Sequence, residues 1–398
     1  MKRTGLLFME MILLTGCLVY AWHTLPHEET GQVQQTDIGA EQEECDMPEQ
    51  VLKKDKTISE ADLQDCYAYQ MLSEDEKVLY TEIVDALLSF QQDVPLSSCD
   101  KTEISRVFQC VLNDHPEIFY VDGYKYTEYM LGKTLRKITF TGAYRFSREE
   151  VEEKQQLIDN YVNQCLAGMP ENADEYTKVK YIYEYVIHHT EYDASVEDRQ
   201  NICSAFIEGK SVCQGYAKAT QYLLERAGIF ATLVIGRVSD GESHAWNLVR
   251  VDGEYYYVDT TWGDASYQAV EGTPSYPDEK IPTINYDYLC VTSDQLEITH
   301  TMENVVEMPE CTAMADNYYV REGAYFTCWD EEQLARIFRE GYERGSTYVT
   351  LKCADREVYR QFQDTLIINQ GIFRYLNSPD SVVSYTTNEK QYSMSFWL

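Results

Sequence analysis

The sequence predicts an α+β protein, and three features point there. Serine or aspartate stands three residues ahead of glutamate at Ser73/Glu76, Asp100/Glu103 and Ser147/Glu150, each opening a stretch of helical apolar spacing. Between the second and third of these, HPEIFYVDGYKY and KTLRKITFTGAYRF alternate apolar and polar residues around turn formers, as strands do. From residue 199 onward the order changes to helix, helix, strand and hairpin. Helices and strands thus come in separate runs, the pattern of the α+β class.

Taken in order, SEDEKVLYTEIVDALLSFQQ at 73–92 reads as a helix, 101–113 as a second, and 115–146 as two or three strands. A third helix runs from Ser147 to about Ala167, and a fourth from Asn172 to His188 with Tyr and Val at i, i+3 and i+4. RQNICSAFIEG and SVCQGYAKATQYLLERAG read as helices, IFATLVIG as a strand, and SHAWNLVRVDGEYYYVDTTWGD as a hairpin. After about 310, STYVTLKC, DREVYRQFQDTLI, SVVSYTT and QYSMSFW form a small strand, helix and hairpin module without a recognisable motif. No fixed-period repeat is present.

With 398 residues and 44% apolar composition the chain has enough material for two or three cores, at roughly 150 residues per domain. Asp and Glu total 67 against 33 Lys and Arg, a net charge of −34. Nucleic acid is therefore not expected as a partner, because its binding rests on releasing counterions to Lys and Arg. The N-terminus is more specific. Lys2 and Arg3 precede an apolar stretch from Gly5 to Trp22, broken by Glu10, so the chain beyond it is expected to face outward. Leu14-Thr15-Gly16-Cys17 resembles the lipobox of bacterial lipoproteins, which would make Cys17 a lipidated anchor, while Leu18 to Trp22 extend the run to the length of a spanning helix. Both leave the protein tethered outside the cell membrane, and a cleaved signal peptide would instead secrete it. Residues 23–56, rich in Glu, Gln and Thr, read as a flexible tether. The 12 cysteines contain no C-x-x-C pair, which removes zinc-ribbon and thioredoxin readings, and most are expected to be buried as small hydrophobes.

One cysteine stands apart. Ser211 and Gln214 sit three apart ahead of good helix formers that end at Gly228, which puts Cys213 in a first helical turn. Unpaired N–H groups and the helix dipole favour a thiolate there. Downstream, Asp252-Gly253 signals a two-residue turn pairing Val251 with Glu254. Continued along the strands, that register sets His244 opposite Thr261 and Trp246 opposite Asp259, with all four on one face. His244 and Asp259 then meet on a diagonal, an imidazole oriented by a carboxylate. A thiol, a His and an Asp so placed are the set needed for acyl transfer. The Cys213 N–H would supply one oxyanion donor, and Tyr192 in the TEYD segment is the candidate for a second.

GKSVCQGYAKATQYLLERAGI followed by SHAWNLVRVDGEYYYVDTTWGD resembles the core of the transglutaminase-like branch of the papain-like cysteine enzymes, its Cys, His and Asp falling on Cys213, His244 and Asp259. INYDYLCVTSDQLEITHT resembles the closing segment of many bacterial members, so the resemblance covers about residues 170–300. It implies a papain-like α+β core, with the Cys helix packed on an antiparallel sheet carrying His and Asp. Relatives include transamidating enzymes, proteases, deglycosylating amidases and members without known activity. The expected organisation is a signal peptide or anchor at 1–22, the tether at 23–56, an N-terminal α+β region at 57–168, a catalytic domain at 169–305 and a C-terminal α/β module at 306–398.

No cofactor or metal is expected. The run from Ser204 to Ser211 has Ser where a P-loop needs its first Gly, His188-His189 lack an H-E-x-x-H frame, and no EF-hand loop occurs. The expected function is an extracellular, membrane-tethered cysteine acyl-transfer enzyme that hydrolyses or transamidates a peptide or isopeptide bond, with a peptide or protein of the cell envelope as partner. The alternative is a binding module that kept the fold and lost turnover.

Overall fold

The computed structural model describes residues 58–398 apart from 60–62, 132, 197–198, 265–282, 304 and 378–381. The proposed signal peptide or anchor, Cys17 and the tether lie outside the described residues. Among those described, no helix is long and apolar enough to cross a membrane. The chain forms two compact units, residues up to Glu152 and residues from Glu153.

In the first unit, helix α1 (Glu74–Leu88) starts on the expected capping box, with Ser73 and Glu76 each accepting from the other's backbone N–H. Asp100 caps α2 (Lys101–Asp114) by accepting from Thr102 and Glu103 N–H. Both helices bury an apolar stripe, Leu79, Ile83 and Leu87 on α1 and Ile104, Val107 and Val111 on α2. The two long strands β2 (Val121–Leu131) and β3 (Thr134–Tyr144) pair antiparallel, and a short β1 (Val94–Pro95) joins the other edge of β3. Helix α3 (Arg148–Ala167) carries the chain across the boundary at Glu152 and again opens on a reciprocal pair, Ser147 with Glu150.

The second unit begins with α4 (Glu175–His189), capped by Asp174. The short strands β4 (Glu191–Tyr192) and β5 (Lys210–Ser211) run parallel and lead into α5 (Cys213–Arg226). Helix α5 packs on a four-stranded sheet of order β8-β7-β6-β9, formed by β6 (Ala231–Val238), β7 (Ser243–Val251), β8 (Glu254–Val258) and β9 (His300–Met302). Every pairing in this sheet is antiparallel. Ala217 of α5 meets Leu233 of β6 and Ala245 of β7, where small residues let helix and sheet approach closely.

The C-terminal module is a second four-stranded sheet, β10 (Tyr325–Phe326), β11 (Tyr348–Cys353), β13 (Ser393–Trp397) and β12 (Tyr385–Asn388), covered by α7 (Glu331–Arg344) and α8 (Arg356–Gln363). Helix α7 has no counterpart in the strand, helix and hairpin expected there. Its sequence carries the signal, Asp330 as cap and Leu334, Ile337, Phe338 and Gly341 buried at helical spacing. A buried polar knot ties the module to the sheet unit: Asp287 accepts from Lys352 Nζ at 3.1 Å, Tyr319 Oη at 3.0 Å and Ser393 Oγ at 2.6 Å. The described cysteines are all free thiols, and Cys66, Cys110, Cys165, Cys203, Cys290, Cys311 and Cys353 are buried. Cys99 and Cys328 are exposed, and Cys213 is only partly covered.

Candidate active site

Helix α5 begins at Cys213 because the chain turns at Val212, whose extended backbone (φ −115°, ψ 179°) cannot continue a helix backwards. Ser211 does not cap it, contrary to the sequence expectation. Its hydroxyl donates to the Arg199 carbonyl at 2.7 Å and lies 2.9 Å from Ser204 Oγ, tying the preceding loop instead. Gly215 makes this possible, since a Cβ there would fall 1.8 Å from Ser211 Oγ and 2.7 Å from the Arg199 oxygen. The consequence lies at the helix start. No side chain caps the first turn, so its N–H groups and the positive end of the helix dipole are directed at whatever occupies the space beside Cys213.

The hairpin forms with the expected register. Asp252 and Gly253 adopt φ of 50° and 89°, the two left-handed positions of a type I′ turn, and the ladder runs from Val251 opposite Glu254 to Asn247 opposite Val258. There it stops. Asp259 leaves the strand and becomes the N-cap of α6 (Thr260–Gly263), its Oδ1 accepting from Thr261 N–H at 2.9 Å and Trp262 N–H at 3.0 Å. Thr261 is therefore helical and does not face His244 across a strand pair, because a short carboxylate next to a turn satisfies two backbone donors that a longer ladder would have used. The other oxygen of Asp259, Oδ2, lies 2.8 Å from His244 Nε2.

His244, Asp259 and Cys213 thus converge from β7, the β8–α6 corner and the start of α5. A carboxylate oxygen can only accept, so Nε2 of His244 carries a proton, and the ring also hydrogen-bonds the Cys213 thiol. Burial disfavours the imidazolium, but the Asp259 carboxylate and the Cys213 side chain outweigh it and raise His244 to about 10. Asp259 is completely buried, which alone would push its carboxyl up. The facing histidines reverse that and hold it below the ordinary carboxylate range.

A second histidine joins this cluster. His300 on β9 places Nε2 3.0 Å from the same Oδ2 of Asp259, while Thr299 Oγ1 lies 2.8 Å from its Nδ1. Trp246, Trp262 and Tyr288 surround its ring with centroids at 4.9, 4.9 and 5.6 Å. Sequence reasoning did not single out His300. It lies 41 residues beyond Asp259, and only the long-range pairing of β9 with β6 brings it in. The donor atoms of His244, Asp259 and His300 lie within 4.8 Å of one another, a spacing that could hold a metal ion. In the arrangement present both Nε2 atoms point at Oδ2, so each carries a proton there and offers no lone pair to a metal. Tyr192 lies opposite Ser211 in the β4–β5 pair, two residues ahead of Cys213, with its ring 6.3 Å from that of Tyr216.

Residues 162–260 match the model of the Transglutaminase-like superfamily, a segment that includes Cys213, His244 and Asp259. That segment is similar to transglutaminase-like domains. Over 135 residues the chain is 28% identical to kyphoscoliosis peptidase of Mus musculus, covering 30% of this chain and 20% of that protein. It is 27% identical over 136 residues to the Homo sapiens protein of the same name, covering 30% and 21%. It therefore spans about a fifth of the length of these curated relatives. Among solved structures it is similar to a crystal structure of a TGase, with 16% identity, a TM-score of 0.26, and 40% of this chain and 54% of that one covered. The transglutaminase-like domain has the α+β, papain-like fold, with the Cys213 helix packed on an antiparallel sheet.

Proposed function

We propose that the chain is a cysteine acyl-transfer enzyme acting on a peptide or isopeptide bond. The reading rests on one observation: His244 links the thiol of Cys213, at the uncapped start of α5, to a buried Asp259 carboxylate 2.8 Å from its Nε2. In this mechanism His244 takes the thiol proton through Nδ1, the ring nitrogen that Asp259 leaves available, and the thiolate adds to the amide carbonyl carbon. The oxyanion forms against the Cys213 N–H at the helix start. Tyr192, on the strand beside β5, is proposed as a second donor. His244 then returns its proton to the leaving amine as the C–N bond breaks, giving a thioacyl enzyme. Water or an acceptor amine attacks that thioester and releases the thiol, with His244 again moving the proton.

Two further points support the reading. The curated relatives carry the name peptidase. The charged start and apolar run over residues 2–22 support placing the enzyme outside a membrane, by a lipid on Cys17 or a spanning anchor, which makes a cell-envelope peptide or protein the natural substrate.

The test is mass spectrometry of cell-envelope peptides incubated with wild type and with Cys213→Ser. Cleaved or newly joined peptides confined to the wild type, with a transient acyl adduct on the peptide containing Cys213, are expected. Identical peptide sets in both samples would leave the binding module.

A further inference from the structure

We propose that His300 is a positioning residue of this site, which holds the Asp259 carboxylate in place and shares its Oδ2 with His244. The proposal rests on Cys213 and His244 acting as described above. Four observations carry it.

The first is the contact. Oδ2 of Asp259 faces His244 Nε2 at 2.8 Å and His300 Nε2 at 3.0 Å, so two rings donate to one oxygen while Oδ1 is spent on the α6 cap. The carboxylate is fixed on both sides and cannot rotate without losing backbone hydrogen bonds. The second is the anchorage of the ring. Nε2 of His300 must carry a proton to meet a carboxylate, and on the other side of the ring Nδ1 lies 2.8 Å from the Thr299 hydroxyl, which itself donates to the Leu296 carbonyl at 3.3 Å. Thr299 therefore anchors the ring in the orientation that turns Nε2 toward Asp259.

The third is backbone approach. β9 reaches β6 at Gly236, where a Cβ would lie 2.1 Å from the Thr301 carbonyl and 2.6 Å from the Trp246 ring. Glycine at that position lets the strand bearing His300 close on the strand next to β7. The fourth is enclosure. His300 is buried and walled by Trp246, Trp262 and Tyr288, which keep water from competing for Oδ2.

The consequence is electrostatic. Two donors on one oxygen divide its basicity, so His300 limits how strongly Asp259 holds the proton on His244. A histidine that must both take a thiol proton and give it to a leaving amine works best when neither state is too stable. The titratable groups facing His244 are Cys213 from α5, Asp259 from the β8–α6 corner and His300 from β9. Tyr183 from α4 and Tyr288 lie in the field of Asp259 and are held protonated by burial.

The experiment is an NMR titration of the His244 ring in the resting full-length protein, with selectively labelled histidine, in wild type, His300→Leu, His300→Gln and Thr299→Val. Alongside it, iodoacetamide labelling of Cys213 is followed with pH in the same variants and in His244→Ala. His300→Leu is expected to raise the His244 midpoint by on the order of half a pH unit and to lower turnover ten- to a hundredfold. His300→Gln, whose amide can donate from nearly the Nε2 position, is expected to restore both. Thr299→Val preserves shape but removes the anchor at Nδ1, and is expected to shift the midpoint in the direction of His300→Leu. A merely structural role would lower turnover through lost fold and leave the midpoint alone. An unmoved midpoint in both His300→Leu and Thr299→Val, with labelling of Cys213 still dependent on His244, overturns the proposal alone. Labelling of Cys213 that is indifferent to His244 overturns it together with the acyl-transfer reading.

Discussion

Each of the two units gathers a thiol, imidazoles and carboxylates, and the two clusters are built differently. In the first unit Cys66 Sγ lies 4.0 Å from His115 Nε2, and His115 Nδ1 meets Glu117 at 2.8 Å. By composition this is a Cys-His-carboxylate set as good as Cys213, His244 and Asp259. Yet Cys66 is buried and stands before a helix of four residues, whereas Cys213 is partly open and begins a helix of 14. Glu117 is more than a third exposed and free to be solvated, whereas Asp259 is sealed. The buried carboxylate of the first cluster is Asp114, which accepts from Ala68 N–H, Tyr69 N–H and Tyr80 Oη, all neutral donors. At Asp114 burial outweighs these donors and the neighbouring His115 and raises it to about 6, while the hydrogen-bonded imidazoles outweigh burial at Asp259 and lower it. Residue type alone does not set Cys213 apart. A long uncapped helix, an accessible sulfur and a sealed carboxylate hydrogen-bonded to the imidazole do.

The largest expected effect separates the two thiols. On the proposed function, Cys213→Ala should reduce peptide turnover by on the order of 10⁴-fold or more, as removal of a covalent nucleophile does. Cys66→Ala should leave turnover within about twofold and instead cost about 1 kcal/mol in denaturant unfolding of the first unit. Loss of turnover in the Cys66 variant at unchanged stability would erase the distinction. Next come the carboxylates. Asp259→Asn should cost on the order of 10²–10⁴ in turnover, because an amide partner favours the wrong imidazole tautomer. Glu117→Gln should cost nothing measurable, since its half-open carboxylate orients no reacting group.

The pH dependence of stability distinguishes the clusters by sign. Asp114 has a folded value raised from 3.8 to about 6, so its contribution is fully present below about 3.8 and is lost as pH rises through 6. Asp259 is lowered, so its contribution is present above the ordinary carboxylate range and is lost on acidification below it. His244 is raised from 6.5 to about 10, and its contribution is present below 6.5 and lost as pH climbs toward 10. Denaturant unfolding followed from pH 3 to 10 should show the first unit weakening between 4 and 6. Asp114→Asn should flatten that decline. The same slope with and without the substitution would mean that Asp114 titrates normally.

The turn at Asp252-Gly253 was enough to read the hairpin register, because a two-residue loop with two left-handed positions leaves no freedom in pairing. The sequence also shows why the register fails beyond Val258: Asp259 ahead of Thr-Thr-Trp-Gly is a helix cap, and a cap signal competes with strand continuation at that point. Helix α7 was equally legible from Asp330 and its apolar spacing. Ser211 was legible only as a cap, since nothing local reveals that Arg199 and Ser204 would claim its hydroxyl. His300 is a different case. Its place beside Asp259 depends on a three-residue strand pairing across more than 60 residues, and non-local pairing of that kind has no periodicity to announce it.

The smallest effect compares two serines that sit alike in sequence and differ in use. Ser73 caps α1 through the Glu76 N–H, so Ser73→Ala should cost about 1 kcal/mol in unfolding of the first unit and leave Cys213 labelling unchanged. Ser211→Ala removes a hydroxyl from the loop ahead of α5. The Arg199 carbonyl still accepts from Val212 N–H at 3.1 Å, so no polar group is stranded and the stability cost is also about 1 kcal/mol. What differs is position. Ser211 lies two residues from the thiol and pins the strand from which the helix springs, so its loss should lower the iodoacetamide labelling rate of Cys213 by a few fold, on the scale of a small misplacement of a reacting group. Equal labelling rates in the two variants would mean that the helix start is held by β5 pairing alone, and that the open first turn of α5 owes nothing to the serine.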